Sequence, residues 1–119
     1  MLRVYQCEKC KKTIVSNQEL KELSGWVELV AGSMDAAQEK HVPVVMKKCK
    51  TVKVDVGSVA HPMTEEHLIE WVAVETEKGY QVQYLKASEA PVCTFKLADG
   101  DALVAVYAYC NLHGLWKAN

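Results

Sequence analysis

The sequence predicts a small all-β protein, an antiparallel sandwich or barrel, preceded by a short amino-terminal segment. Two observations support this fold class. Apolar and polar residues alternate with a period of two along several short segments, and glycine-containing turn signals separate those segments. No stretch shows the 3.6-residue repeat of a long amphipathic helix. Short strands joined by tight turns are typical of antiparallel β-sandwiches and barrels.

Strands are expected throughout the second part of the chain, from residue 41 onward. The clearest is a run in which Val52, Val54 and Val56 alternate with Lys53 and Asp55, the period of a half-buried strand. Four further strands are expected at Trp71–Val74, Tyr80–Tyr84, Val92–Leu97 and Leu103–Tyr109. The pair Lys78-Gly79 predicts a turn between the second and third of these five strands. Asp99-Gly100 predicts a hairpin between the last two.

Residues 1–36 are expected to form a separate amino-terminal segment, and residues 37–119 the β domain, with Gly32-Ser33 near the junction. The segment contains Cys7-Glu8-Lys9-Cys10, a polar stretch and one strand candidate at Trp26–Val30. Short helical turns are expected at Gln18–Leu23 and Met34–Gln38, neither of them a core helix.

Composition excludes several classes of protein. The chain of 119 residues is 50% hydrophobic and carries a formal net charge of -1, so no broad positive field favours nucleic acid or an anionic membrane. No apolar run approaches the roughly 20 residues of a membrane helix, and Met1–Gln6 lacks the apolar core of a signal peptide. Five cysteines without the spacing of a disulfide framework favour a reducing compartment. We therefore expect a cytoplasmic protein.

The histidines form the most informative pattern, because all four lie in loops or at predicted strand ends: His41, His61, His67 and His113. Cys110-x-x-His113 is a compact chelating step directly after a strand. Any one of these histidines could be an ordinary hydrogen-bonded surface residue. Four imidazoles and a thiolate together exceed the four ligands of a closed structural zinc site. Imidazole suits iron, copper, nickel and zinc, and a single thiolate is a strong donor to a redox metal.

Three segments carry a resemblance to a known family. They are Asp-Ala-Ala-Gln-Glu-Lys-His-Val-Pro-Val, His-Pro-Met-Thr-Glu-Glu-His-Leu-Ile-Glu-Trp and Cys-Asn-Leu-His-Gly-Leu-Trp. These segments resemble, in the same order along the chain, the superoxide reductase family (desulfoferrodoxin and neelaredoxin). The resemblance covers roughly residues 35–119.

The resemblance implies an immunoglobulin-like β domain that holds one non-haem iron, cycling between ferrous and ferric states. It places His41, His61, His67 and His113 in the plane of the metal and the sulfur of Cys110 on the axis. It further implies that His113 binds through Nδ1 and the other histidines through Nε2. The implied activity is the one-electron reduction of superoxide to hydrogen peroxide at the sixth position. We also expect the backbone N–H groups of Leu112 and His113 to hydrogen-bond the sulfur.

The resemblance also assigns roles to Glu39 and Lys40, beside His41. In relatives this glutamate can occupy the sixth position of oxidised iron, and the lysine attracts the superoxide anion. Composition alone describes them as an ordinary charged loop. A cation beside an open metal face is suited to steering a small anion. The implied partners are superoxide and a small electron-donor protein such as rubredoxin, and a homo-oligomer (dimer or tetramer) is expected.

Two other functions stay open at this point. One is dismutation, which uses the same site but returns half of the superoxide as oxygen. The other is a noncatalytic β module that stores or senses iron or zinc. The number of reducing equivalents consumed per superoxide separates reduction from dismutation, and a metal that never changes redox state indicates the noncatalytic module.

The amino-terminal segment departs from the family pattern. Two-domain relatives carry a second iron bound by a Cys-x-x-Cys pair and a later adjacent pair of cysteines. Cys7 and Cys10 match the first pair, but the comparable later stretch, residues 26–32, has no cysteine. We expect a degenerate desulforedoxin-like segment without a second iron, its thiols reduced or adventitiously oxidised, or zinc bound between two subunits. Cys49 and Cys93 are expected to be held by packing in strands.

Overall fold

The amino-terminal part of the chain forms a small antiparallel sheet of its own. In the computed structural model, which describes residues 1–119, the chain divides into two units, residues 1–30 and 31–119. The first unit contains β1 (Arg3–Cys7), β2 (Thr13–Ser16) and β3 (Trp26–Glu28), in the order β2-β1-β3. The expected strand at Trp26–Val30 is thus confirmed over its first three residues. Strands β1 and β2 were not predicted from the sequence. In β1, the neighbouring residues Val4 and Tyr5 are both buried, so no alternation of apolar and polar residues marks the strand.

The two predicted helical turns are wrong. Residues 18–23 contain only turns, a bend and irregular backbone, because contacts with β1 and with the end of β2 hold this segment in a non-helical path. The N–H of Gln18 donates to Oγ of Ser16, and the N–H of Leu20 donates to the hydroxyl of Tyr5. No helix covers Met34–Gln38 either. The chain's one helix, α1 (Gln38–His41), begins where that segment was expected to end.

Seven strands in two antiparallel sheets form the second unit, which confirms the predicted all-β fold. The sheet of four has the order β10-β9-β6-β7 and the sheet of three the order β4-β5-β8. Their bounds are β4 (Pro43–Lys48), β5 (Thr51–Val56), β6 (Ile69–Thr76), β7 (Gly79–Tyr84), β8 (Val92–Lys96), β9 (Leu103–Cys110) and β10 (Gly114–Ala118). No helix has the length and hydrophobicity needed to cross a membrane.

The inner faces of the two sheets share one hydrophobic core. Val52, Val54 and Val56 of β5 are fully buried, as their alternation with polar residues predicts. They pack with Phe95 of β8 and with residues of β6 and β9 from the facing sheet: Ile69, Val72, Val74, Val106, Ala108 and Cys110. Burial of each such side chain contributes roughly 1.5–3 kcal/mol. Cys110 thus enters the second unit's core at the end of β9.

The predicted hairpin at Asp99-Gly100 is wrong, although the turn is present. Gly100 has φ +78°, as expected for this dipeptide. However, β8 pairs with β5 while β9 pairs with β6 and β10. The turn therefore carries the chain from one sheet to the other. A dipeptide determines the local reversal, whereas the choice of partner depends on residues far away in sequence.

Side chains close the edge where β7 and β8 approach each other. The Nε2 groups of Gln81 and Gln83 donate to the carbonyl oxygens of Lys96 and Thr94, at 2.7 and 2.6 Å. These bonds satisfy backbone acceptors on an edge strand that would otherwise be open to pairing with another chain. Polar residues at alternate positions of β7 therefore join the two sheets.

The two cysteines expected to be held by packing differ in the structure. Cys93 lies in β8 and is 2% exposed, as expected. Cys49 contradicts the expectation, because it is exposed and lies in the turn between β4 and β5, with φ +55°. The strand alternation before Val52 stops at Thr51, so Cys49 falls outside β5.

The two thiols should therefore react differently in the native protein. Iodoacetamide at pH 8 should alkylate Cys49 and leave Cys93 unmodified until urea unfolds the chain. Burial raises the pKa of Cys93 to about 11, so only about one molecule in a thousand carries the reactive thiolate at that pH. Peptide mass spectrometry gives the labelled fraction at each residue. Equal labelling without urea would contradict this account of the β8 core.

Candidate metal centre

The second unit brings all four histidines and Cys110 together at one end of the sandwich. The nitrogen or sulfur donor atoms of His41, His61, His67 and Cys110 lie within 4.8 Å of one another. His113 joins them, with its Nδ1 at 3.2 Å from Nε2 of His41 and 4.0 Å from the sulfur of Cys110. These are the five residues that the sequence analysis singled out as metal ligands.

His41 is the last residue of α1 and is 2% exposed. Its Nδ1 lies 2.7 Å from the carbonyl oxygen of Ala37. A carbonyl only accepts hydrogen bonds, so Nδ1 carries the proton and donates. In the neutral ring, Nε2 then holds a lone pair that is directed at the other histidines. The helix thus determines both the position of the ring and the nitrogen it offers.

His61 is oriented by the same device. Its Nδ1 donates to the carbonyl oxygen of Pro62 at 2.6 Å, which leaves Nε2 as the acceptor. That Nε2 lies 3.2 Å from Nε2 of His41. His61 is 3% exposed. Its backbone N–H donates to the carbonyl of Val56, the last residue of β5. The backbone therefore ties this ring to the core sheet.

His67 closes the loop that begins at His61. Its N–H donates to Oγ1 of Thr64 at 3.1 Å, and the N–H of Thr64 donates to the carbonyl of His67 at 3.0 Å. The Nε2 atom of His67 is buried and has no hydrogen-bond partner. Buried polar atoms without a partner are rare, and each one calls for an explanation such as a bound ion.

Cys110 and His113 flank the tight turn between β9 and β10. Cys110 is fully buried, and the backbone N–H groups of Leu112 and His113 hydrogen-bond its sulfur. The side chain of Asn111 joins this turn to the His61–His67 loop. Its Oδ1 accepts from the N–H of Leu68 and its Nδ2 donates to the carbonyl of Glu66, at 3.1 and 3.0 Å. The side chain of Asn111 therefore fixes the position of the β9–β10 turn relative to the His61–His67 loop.

The four imidazoles form a closed ring in the order 41, 61, 67, 113. Neighbouring ring centroids are 4.6–5.1 Å apart with interplanar angles of 74–90°. The centroids of His41 and His67, which lie opposite each other, are 6.4 Å apart. The diagonal is longer than the sides, which is the shape of four ligands around a common centre.

Burial favours the neutral form of His41, His61 and His67. It is the largest cause that lowers the pKa of His41, His61 and His67, and it brings that of His61 to about 4. Burial also raises the pKa of Cys110, although the N–H groups of Leu112 and His113 oppose the change. Metal ligands must be neutral imidazole and thiolate, so the protein already provides His41, His61 and His67 in the required form. A bound cation favours the thiolate and lowers the cost of its burial.

This donor set fits a metal ion. Two ligands at right angles on one ion, each about 2.1 Å from it, lie about 3 Å apart. The two nitrogen–nitrogen distances involving Nε2 of His41 are both 3.2 Å. Lone pairs at this distance repel each other unless a proton or a cation lies between them. The unpartnered Nε2 of His67 points to the same conclusion.

Glu39 and Lys40 lie on α1 directly before His41, and both are exposed. The charge of Lys40 contributes to the lowered pKa of His41 and of His67, so its ammonium group acts on two of the rings. The carbonyl of Glu39 accepts from the N–H of Val59 at 2.8 Å and from Oγ of Ser58 at 3.3 Å. The helix is thus anchored by its backbone while both charged side chains remain in solvent.

Sequence reasoning missed two residues that position the site. Gly57, with φ +79°, lies against α1, where an added Cβ would be 2.4 Å from the carbonyl oxygen of Glu39 and 2.6 Å from Cα of Lys40. Trp116 stacks on His41 with centroids 5.0 Å apart, and its Nε1 donates to the carbonyl of His113 at 3.0 Å. No sequence signal marks either contact with α1, because Gly57 and Trp116 lie far along the chain from Glu39, Lys40 and His41.

Comparison with known proteins agrees with the fold and identifies the family. A family model described as Desulfoferrodoxin matches residues 33–119. A desulfoferrodoxin of Desulfarculus baarsii is 38% identical, covering 98% of this chain and 95% of that protein. A superoxide reductase of Pyrococcus horikoshii is 34% identical over 71% of this chain and 89% of its own. The crystal structure of the superoxide reductase from Treponema pallidum superimposes with a TM-score of 0.82 at 41% identity, covering 89% and 93% of the two chains.

A small β-sandwich with four imidazoles and a thiol in one buried cluster defines a metal-binding class of β domain. The chain belongs to the desulfoferrodoxin family, since the family model covers most of its length. The resemblance drawn from the three sequence segments is thereby confirmed. The predicted division at residues 36 and 37 and the degenerate desulforedoxin-like assignment of the amino-terminal segment stay predictions.

Replacing Gly57 by alanine should weaken metal binding, because the new Cβ displaces the backbone of α1 and with it His41. The positive φ adds a cost of about 1–2 kcal/mol to the free energy of folding. Metal affinity is measured by competition with a chromophoric chelator, and stability by urea unfolding of the metal-free chain. Gly79→Ala is the matched control, since nothing lies within 4 Å of its added Cβ. Equal metal affinities in the two variants would show that Gly57 does not hold the helix in place.

Proposed function

We propose that this protein is a superoxide reductase, which converts superoxide to hydrogen peroxide at a single non-haem iron. The iron ligands would be His41, His61, His67 and His113 with the sulfur of Cys110. The observation that supports this most is the contact between the Nε2 lone pairs of His41 and His61, with the buried thiol of Cys110 in the same group of donor atoms. The solved relatives from Treponema pallidum and Giardia intestinalis are superoxide reductases.

Each side chain has a distinct part in this proposal. Iron, when bound, supplies the ferrous–ferric couple that delivers one electron. Cys110 supplies the one anionic sulfur, and the N–H groups of Leu112 and His113 adjust its electron donation by hydrogen bonding. The carbonyls of Ala37 and Pro62 accept hydrogen bonds from the Nδ1–H groups of His41 and His61. These bonds make the Nε2 atoms of the two rings stronger electron-pair donors to a metal. The ligand set leaves a sixth position for a small substrate.

The exposed charges of α1 suit the approach of a small anion. Lys40 brings a positive charge to the His41–His67 side of the cluster, where it attracts superoxide. Glu39, at the neighbouring position, supplies a carboxylate that can take the sixth position of the oxidised metal. Both side chains are in solvent, which also provides the two protons that form hydrogen peroxide.

The proposal requires electrons from outside the chain. One electron per superoxide must reach the iron, and we propose a small electron carrier such as rubredoxin as the donor. A cytoplasmic location and assembly as a homo-dimer or homo-tetramer belong to the same proposal.

The iron-loaded protein should consume one reducing equivalent per superoxide and release no oxygen. Oxidised protein should show a thiolate-to-ferric charge-transfer band, and Cys110→Ser should lose this band and lower the rate of superoxide reduction at least about tenfold. Absorption spectra, iron analysis and an oxygen electrode provide the measurements. Oxygen release at half the superoxide consumed would instead indicate dismutation.

Cys93→Ser is the matched control for Cys110→Ser. Both substitutions place a hydroxyl group in the same hydrophobic core, because each cysteine is at most 2% exposed. The cost in folding stability should be similar, whereas only the Cys110 variant should lose the band. A Cys110→Ser protein that keeps both band and activity would rule out the sulfur as a ligand.

Lys40→Ala should lower the second-order rate with superoxide by roughly threefold to tenfold at low salt. The variant's rate should also depend less on ionic strength, because the steering charge is gone. Lys78→Ala, in the β6–β7 turn at the other end of β6, makes the same charge change as a control. Pulse radiolysis measures both rates. If the second-order rate falls equally in Lys40→Ala and Lys78→Ala, the rate depends on the net charge of the protein and not on the position of Lys40.

Glu39→Ala tests the second charge of the same helix. This variant should change the absorption spectrum of the resting oxidised protein with little effect on the rate. An unaltered spectrum in Glu39→Ala would show that the Glu39 carboxylate does not bind the oxidised metal.

A further inference from the structure

The amino-terminal unit contains a cysteine pair that the iron site does not use. Cys7 ends β1 and is partly exposed, and Cys10 lies in the following turn and is exposed. Three exposed lysines surround the pair: Lys9, Lys11 and Lys12. The pair thus lies in a locally basic, solvent-accessible turn, the setting in which reactive thiols are found.

The turn holds the two sulfur atoms in a fixed relation. The N–H of Cys10 donates to the sulfur of Cys7 at 3.4 Å, and the Cys10 side chain also hydrogen-bonds that sulfur. The carbonyl of Cys7 accepts from the N–H of Lys11 at 2.9 Å, and the N–H of Cys7 donates to the carbonyl of Lys12 at 2.9 Å. Backbone bonds on both sides therefore fix Cys7 with its partner thiol beside it.

These donors distinguish the two sulfurs chemically. The N–H of Cys10, the Cys10 side chain and the N–H of Lys9 all lower the pKa of Cys7. A thiolate is the nucleophile in disulfide exchange, so Cys7 is the sulfur prepared to attack. Cys10, adjacent and exposed, is placed to attack second.

Ligand count argues against a metal as the use of this pair. Cys7 and Cys10 are the only cysteines before residue 49, and the first histidine is His41. Two thiolates leave a tetrahedral zinc or iron site half complete. Chemistry that needs two sulfurs and nothing more accounts for both residues within one chain.

We propose that Cys7 and Cys10 form a dithiol–disulfide couple that exchanges with anionic disulfides. The Cys7 thiolate attacks one sulfur of the incoming disulfide, forming a mixed disulfide and releasing one thiolate. Cys10 then attacks the Cys7 sulfur, forming the Cys7–Cys10 disulfide and releasing the second thiolate together with the Cys10 proton. Two electrons pass from the pair to the disulfide, and the reverse reaction restores the dithiol.

The charge around the pair selects the class of partner. Within residues 7–12, the three lysines Lys9, Lys11 and Lys12 outnumber the single carboxylate, that of Glu8. Their summed field attracts a negatively charged disulfide and stabilises the released thiolate. A small peptide disulfide that carries carboxylates fits this surface better than a neutral one. The proposal involves only the amino-terminal unit and stands independently of the iron site.

Glutathione disulfide is the probe, and hydroxyethyl disulfide is its neutral counterpart. With the full chain, glutathione disulfide should produce a Cys7–Cys10 disulfide that reduced glutathione reverses, identified by peptide mass spectrometry. Cys10→Ser should accumulate a mixed disulfide on Cys7, formed at least about tenfold faster than at the exposed Cys49 of the same chain. In the double variant Lys9→Gln/Lys11→Gln, the ratio of the exchange rate with glutathione disulfide to the exchange rate with hydroxyethyl disulfide should fall.

Other results would overturn the proposal. They are mixed disulfide formation at Cys7 no faster than at Cys49, or Cys10 reacting faster in Cys7→Ser than Cys7 does in Cys10→Ser. A second metal ion, lost on substitution of both residues by serine, would make the pair a metal site instead. That double variant should keep its iron content and superoxide reduction. Since exchange is measured without superoxide, its outcome and that of the iron-site proposal are read separately.

Discussion

The Nε2 lone pairs of His41 and His61 face each other at 3.2 Å inside this protein, and lone pairs at that distance repel. The rest of the second unit must supply the stabilisation that keeps them there. The facing sheets do so with a continuous apolar core, into which β9 inserts Cys110, whose sulfur lies 4.0 Å from Nδ1 of His113. Without that core, the imidazoles would turn towards water, where each lone pair finds a hydrogen-bond donor. A bound cation removes this repulsion, because the facing lone pairs then bind the cation.

The backbone does much of the positioning. Carbonyls of Ala37 and Pro62 determine which nitrogen of His41 and His61 carries the proton, and α1 is held through the carbonyl of Glu39. Anchoring by main-chain groups leaves the side chains of Glu39 and Lys40 in solvent. The same small segment can therefore hold a buried ring rigidly and present charges to an anion. Loops placed on a stiff sandwich commonly combine precision and access in this way.

Much of this molecule could be predicted from its sequence, and the errors are informative. Alternation identified β5 and β8, because a strand with one buried face places an apolar residue at every second position. The strands β6 and β9 were recognised as short apolar runs, and they are buried at nearly every position. The reversal at Asp99-Gly100 was also predicted, but its partner strands were not, since local turn chemistry does not specify pairing between sheets. The exposed position of Cys49 was missed because β5 begins at Thr51, a boundary set by pairing with β4 and β8.

The sequence by itself determined the residue types of the cluster, their places at strand ends, and the family to which the chain belongs. Only the tertiary structure decided the order of the four rings and the need for glycine at position 57. The physical reason is that these features depend on contacts between segments 17 to 72 residues apart, such as those joining Lys40 to Gly57 and His41 to His113. A motif records which atoms are available, and packing decides which of them meet.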